Sequence, residues 1–234
     1  MAHSERATAP QNPPLLTVSV PIGLQYGGAA RGISVNGSNL VVKPGKTLAF
    51  VGGDVRLNGG NLFAPGGRFE LGGVAGAGTV GLNVDGDNLS LSFPDGLARA
   101  DVSLTNGAIV NVRAFGGGSI AINAQNLNIS GESTRVRAGI GSGSGSVDSQ
   151  AGDIEINATE AINLDTSVIS NVVQAGAVGN AGDINIQTGS LSVTNGAELN
   201  TSSEGSGAAG NIEVRASSIR LDNQALLKIG RASC

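Results

Sequence analysis

The stretch Asn83-Val-Asp-Gly-Asp-Asn88 sets two carboxylates and two amides side by side, an oxygen-rich group of the kind calcium takes. A calcium loop of the helix–loop–helix type needs glycine at its sixth position and a bidentate glutamate at its twelfth. Counted from Asn83, those places hold Asn88 and Pro94. The repeated Gly-Gly-x-Gly-x-Asp of calcium-binding β-rolls is missing too. The stretch therefore reads as a solvated turn with no more than opportunistic calcium affinity. Gly76-Ala-Gly-Thr-Val-Gly81 fits the phosphate-cradling pattern Gly-x-Gly-x-x-Gly. That cradle must open a helix, whereas Val80 begins another alternating apolar run, so this too is a turn.

Paired carboxylates could act on polysaccharides as acid and base. Asp153, Glu155, Asp183 and Glu213 are the acids to consider. They fall at the polar places of an alternating pattern, where charge serves solubility. Aromatic platforms for sugar rings are scarce, at 3% of residues. His3 is the single histidine and lies in an irregular leader; Cys234 is the single cysteine and the last residue. Neither has an ordered partner for nucleophilic chemistry. The expectation is a chain that is not an enzyme, with no catalytic, cofactor-binding or metal residues and no cofactor.

What the chain does repeat is structural. Gly118-Ser-Ile-Ala-Ile122, Gly152-Asp-Ile-Glu-Ile156, Gly182-Asp-Ile-Asn-Ile186 and Gly210-Asn-Ile-Glu-Val214 recur at glycine spacings of 34, 30 and 28 residues. Each is followed by a second apolar-x-apolar triplet: Leu127–Ile129, Ile162–Leu164, Leu191–Val193, Ile219–Leu221. A unit of this size cannot bury its apolar face alone and must stack on its neighbours. Ile120, Ile154, Ile184 and Ile212 are expected to form one inward stack, with Ile122, Ile156, Ile186 and Val214 beside it.

Composition agrees. Of 234 residues 38 are glycine and 14% are charged, yet 40% are hydrophobic. That is too apolar for disorder, and the glycines lack the three-residue period of collagen. Short alternating runs separated by Gly, Asn, Asp and Pro are strand signals, and no uninterrupted helical period exists. A net charge of −4, with 14 scattered Lys and Arg, argues against a nucleic-acid partner. The fold class predicted is all-β, a right-handed parallel β-helix of roughly nine to eleven coils, about 45 Å long. Residues 1–14 form an irregular leader, 15–229 a single β-helix (irregular coils 15–115, regular repeats 116–229) and 230–234 a frayed tail. Glycine-rich insertions near 139–150, 174–182 and 202–209 are expected to protrude as contact loops.

The runs Pro14–Gly27, Val42–Val55 and Gly60–Gly72, with the Ala-Gly-Asp-Ile units at 151–154 and 181–184, resemble cyanobacterial filamentous-haemagglutinin-like exoproteins of the two-partner secretion type. The resemblance implies export through a dedicated outer-membrane transporter, then release or display at the cell surface. It implies a β-helical shaft for adhesion or aggregation. Partners would be that transporter during export and host, surface or cell-envelope glycans or proteins, with end-to-end self-association also open. No signal peptide is visible, and no Asn-Pro-Asn-Gly motif of an amino-terminal secretion domain is found. The chain is accordingly expected to be a fragment lacking both. A polysaccharide-binding or polysaccharide-degrading β-helix module, or a non-functional gene remnant, are the alternatives.

Overall fold

A computed structural model describes residues 22–85 and 88–231. Every regular element among them is a strand. The polypeptide winds as a parallel β-helix with three faces. The first face carries Thr47–Gly52 and Arg68–Gly73, then the leading halves of Ser119–Ser130, Ile154–Asp165, Ile184–Thr194 and Ile212–Leu221. The second carries Ile33–Asn36, Val55–Asn58 and Val102–Thr105, then the trailing halves of the same long strands. The third is a seven-stranded sheet running from Asn39–Val41 to Leu226–Arg231.

Like residues stack on like, as the repeat demanded. Ile120 pairs with Ile154, Ile154 with Ile184 and Ile184 with Ile212. The column continues downward through Phe69 and Leu48. Leu57, Leu104, Ile129, Leu164 and Val193 form a column on the second face, and Leu62, Val110, Val136, Ile169 and Leu199 one on the third. Nearly all these side chains are fully buried in one continuous core, each contributing about 1.5–3 kcal/mol of apolar burial.

The repeated glycine has a steric reason. A Cβ on Gly182 would stand 2.4 Å from the carbonyl oxygen of Gly152, and one on Gly210 2.1 Å from that of Gly182. Successive corners are in backbone contact, with no room for a side chain. Asn171 braces the same corner, donating to the Gly152 carbonyl at 2.9 Å and accepting from the Gly182 amide at 3.3 Å.

Among the described residues the third face has seven strands, so six steps of about 4.8 Å give a stack about 29 Å high, against nine to eleven coils expected over 15–229. Two segments with strand-like alternation do not join the coil. Gly78–Asp85 and Asn88–Ser92 form an antiparallel hairpin, to which Gly23–Tyr26 adds a third strand. Gly145–Gln150 and Val178–Asn180 pair in a small outer sheet over Ile140, Ala151, Val173, Ala177 and Ala181. The insertions near 139–150 and 174–182 are thus partly built into a second layer and are not free loops throughout.

Candidate functional site

The antiparallel hairpin leaves the coil after Gly73 and returns at Val102. Side chains of the first face hold it against the rod. Thr47 Oγ1 donates to the Leu89 carbonyl at 2.9 Å and accepts from the Leu89 amide at 3.1 Å. The Tyr26 hydroxyl donates to the Val51 carbonyl at 2.9 Å. Phe93 closes over Gly72, where a Cβ would meet the ring at 2.2 Å.

Between this hairpin and the outer side of the first face runs a groove of about 580 Å³. Phe93, Asp95 and Arg99 line it from the hairpin and the segment after it, and Arg68, Glu155 and Asn157 from the first face. Beneath it lies Glu70, fully buried. Its Oε1 accepts from Arg68 Nε at 2.5 Å and from the Leu91 amide at 3.2 Å, while Oε2 has no partner among the described residues. Desolvation raises the Glu70 carboxyl above the ordinary carboxylate range, and the Arg68 and Leu91 contacts offset only part of that. Arg68 also donates to Ser119 Oγ at 3.0 Å and lies 3.8 Å from Glu155. Arg99 sits 5.8 Å over the Phe93 ring and donates to the Asn157 carbonyl at 3.1 Å. Burial lowers its affinity for the proton, and Asp95 opposes this. Polar, mixed in charge and open at the surface, this arrangement suits hydrogen bonding to a polyhydroxylated ligand.

Of the acids singled out by sequence, Glu155 and Glu213 line one shallow pocket of about 210 Å³ on either side of Asn185, and Asp153 and Asp183 do not join them. Asp153 and Asp183 stitch corner to corner: Asp153 Oδ1 accepts from the Asp183 amide at 2.8 Å, and Asp183 Oδ1 from the Asn211 amide at 2.7 Å. Glu155 reaches the groove, and Glu213 pairs with Arg215 on the last coil. The glycines at 76–81 lead into the hairpin strand Gly78–Asp85, with no helix after them. The acidic-amide stretch at 83–88 is the hairpin tip, whose residues 86 and 87 lie outside the described residues, as do His3 and Cys234.

Two groupings escaped the sequence reading. Arg68, Glu70 and Glu155 come together only because parallel pairing sets Glu70 beside Ala121 and Ala121 beside Glu155. On the third face Arg113, Arg135 and Arg137 are neighbours, although the basic residues look scattered along the chain. Burial first, then Arg137 and Arg135, push the Arg113 guanidinium down to about 10, with Glu204 opposing. Arg113 donates to the Ala138 carbonyl at 3.0 Å and to Ser170 Oγ at 3.1 Å.

The family model of the TPS secretion domain matches residues 2–122, just over half of the chain. The chain belongs to that family. It is a two-partner-secretion exoprotein, exported across the outer membrane with the help of a transporter that engages the secretion domain. The expectation that the secretion domain is missing is overturned, since it occupies the first half of this chain. The absence of an Asn-Pro-Asn-Gly motif does not exclude the domain, whose match runs through the short coil strands and the hairpin. No curated protein and no solved structure matches the chain. The secretion domain supplies the hairpin wall of the groove, and the repeats beyond it supply Glu155 and Asn157.

Proposed function

We propose that this chain serves a haemagglutinin-like adhesin as a non-enzymatic, rigid β-helical shaft, with adhesion or aggregation as its task. The observation that carries this reading is the unbroken register of the aliphatic columns through seven coils, running from the secretion domain into the repeats. Such a column has no hinge, because every coil is bonded to the next along all three faces. Proteins with this secretion domain are generally exported exoproteins without enzymatic activity, which supports the same view. Contact surfaces would come from the outer layer near 139–150 and 174–182 and from the loop at 202–209. Val147, within that layer, and Phe115, in the turn before Ser119–Ser130, are 80% and 74% exposed.

The partner would be a surface or cell-envelope glycan or protein. The polar groove favours the glycan, through Arg68, Arg99, Glu155 and Asn157. Beads coated with the purified chain test the reading against cells and against an array of polysaccharides. Adhesion several-fold above bare beads is expected, reduced by F115A with V147S for a protein partner or by R99A for a glycan. Depolymerisation of a bound polysaccharide, or no adhesion to any surface, would overturn it.

A further inference from the structure

Stacked amides in this molecule are used in two ways. At the corner between the second and third faces they are spent on one another: Asn58 donates to Asn36, Asn106 to Asn58 and Asn223 to Asn195. On the outer side of the first face they are not. Parallel pairing sets Asn123 beside Asn157 and Asn157 beside Gln187, in a column that rises about 4.8 Å per coil. A neighbouring column runs from Ala121 through Glu155 to Asn185. The side chains of Asn123, Asn157, Asn185 and Gln187 make no hydrogen bond among the described residues. Asn123 is only 8% exposed, so its amide has given up most of its water without gaining a protein partner. A polar group in that position is costly until something from outside bonds to it.

All four amides face a continuous trench. Asn123, Asn157 and Gln187 line the groove beside the hairpin, and Asn157, Asn185 and Gln187 line the shallow pocket next to it. The shared residues join the two spaces along the rod axis. Charge in the trench is balanced, with Arg68, Arg99 and Arg215 against Asp95, Glu155 and Glu213. Each arginine is already engaged: Arg68 by Glu70 and Ser119, Arg99 by the Asn157 carbonyl and the Phe93 ring, Arg215 by Glu213. No cation is left over to draw a polyanion. Phe93 is the only aromatic residue in the lining and already carries Arg99 over its ring, so the side chains of a peptide would find no apolar socket.

We infer that the trench binds a linear, uncharged polysaccharide extended along the rod, its successive hydroxyls meeting the amides of successive coils. An amide offers donors and an acceptor, and a hydroxyl offers both as well, so a repeating polymer meets a repeating wall. The inference rests on the glycan side of the proposed function and adds the ligand's charge, shape and direction.

Calorimetric titration of the 234-residue chain tests this with linear glucans, mannans, galactans and xylans, from disaccharides to octasaccharides, each beside a sulfated or carboxylated counterpart. At least one neutral series is expected to bind, more tightly as the chain lengthens over its first few sugars, with the charged counterpart several-fold weaker. N157A and Q187A each remove one free amide and are expected to weaken binding about three- to tenfold. N163A removes an exposed amide from the second face and is expected to leave binding unchanged, with circular dichroism checking the fold of all three. Neutral chains that fail to bind at any length overturn the inference. So does binding that favours the charged counterpart, or that ignores both N157A and Q187A. Adhesion of chain-coated beads that persists without neutral-glycan binding sinks the trench ligand alone. Neutral-glycan binding without adhesion to any surface upholds the trench ligand and sinks the adhesive reading.

Discussion

Residues 33–111 and residues 119–231 build the same triangular coil by different means. The later coils use strands of ten to twelve residues that run from the first face round onto the second, and each corner reuses one glycine. The earlier coils use strands of three to six residues. They lean on single long-range contacts: Tyr26 to Val51, Thr47 to Leu89, Glu70 to Leu91. The difference concerns how stability is distributed. In a repeat array it is a sum of nearly equal interfaces, whereas in the secretion domain it is concentrated in contacts that occur once.

Placing an acid in each region should break that comparison most forcefully. Ile184→Asp buries a carboxylate at the centre of the repeat columns, where the side chain is fully enclosed. About 5 kcal/mol or more is expected to be lost, enough to unfold a typical domain. Urea titration followed by circular dichroism should show loss of β-structure in buffer or a sharply lowered midpoint. Leu91→Asp alters the hairpin, whose small cluster of Val74, Val80 and Leu91 lies outside the main core. Its cost should be about half as large, with the parallel sheets retained. Equal effects would mean that the two regions do not differ in cooperativity.

Glycine sharpens the contrast. Gly182→Ala forces a methyl against the Gly152 carbonyl, and overpacking of this kind costs about 1–3 kcal/mol. Gly27→Ala has nothing within 4 Å of the new carbon and should stay within about 0.5 kcal/mol of the parent. Denaturant midpoints of the two variants compare them directly.

Much of this was legible beforehand in the repeats and little of it in the secretion domain. Ile120, Ile154, Ile184 and Ile212 stack as the repeated Gly-x-Ile-x-Ile/Val motif requires, because the variable spacing is taken up between the strands and leaves their register unchanged. The hairpin at 78–92 has the same alternation and turn residues as coil strands do. Local pattern encodes strand, not partner, and so does not set the hairpin apart from the coils. The groove was less visible still. Glu70 alternates with Phe69 and Leu71 as any outward residue would, and only the hairpin folded over it makes it a buried acid. Nothing local signals a cover that arrives from elsewhere in the chain.

Glu70 marks the same contrast in its response to pH. Its carboxyl is raised on folding, so the native state holds the proton more tightly than the unfolded chain. The stability this gives is full below the unfolded carboxylate range and is lost as pH rises through the folded value. Between those two points the slope is at most about 1.4 kcal/mol per pH unit. Thermal midpoints from pH 4 to 8 should therefore fall more steeply for the parent than for Glu70→Gln, which cannot titrate. Identical profiles for parent and E70Q would remove the buried acid from any account of how the hairpin is held.

The smallest effects should fall where the two regions agree. Asn106 and Asn195 each precede a glycine at the corner between the second and third faces, both with φ of 54°. Asn106 donates to Asn58 Oδ1 at 2.6 Å, and Asn195 to Asp165 Oδ1 at 2.8 Å. In the repeats the ladder continues, with Asn223 donating to Asn195 Oδ1 at 3.0 Å. The left-handed backbone tolerates Asn far better than Ala, by about 1 kcal/mol, and these exposed amide bonds add only a few tenths. Asn106→Ala and Asn195→Ala should each lose about 1 kcal/mol, and the glycine variants far less, since glycine takes the same φ without strain. Equal losses at the two sites, read from urea midpoints, would show that this corner is governed by backbone conformation in both halves. A markedly larger loss at Asn195 would instead put the weight on the amide ladder, extending the difference between repeats and secretion domain to the one element they share.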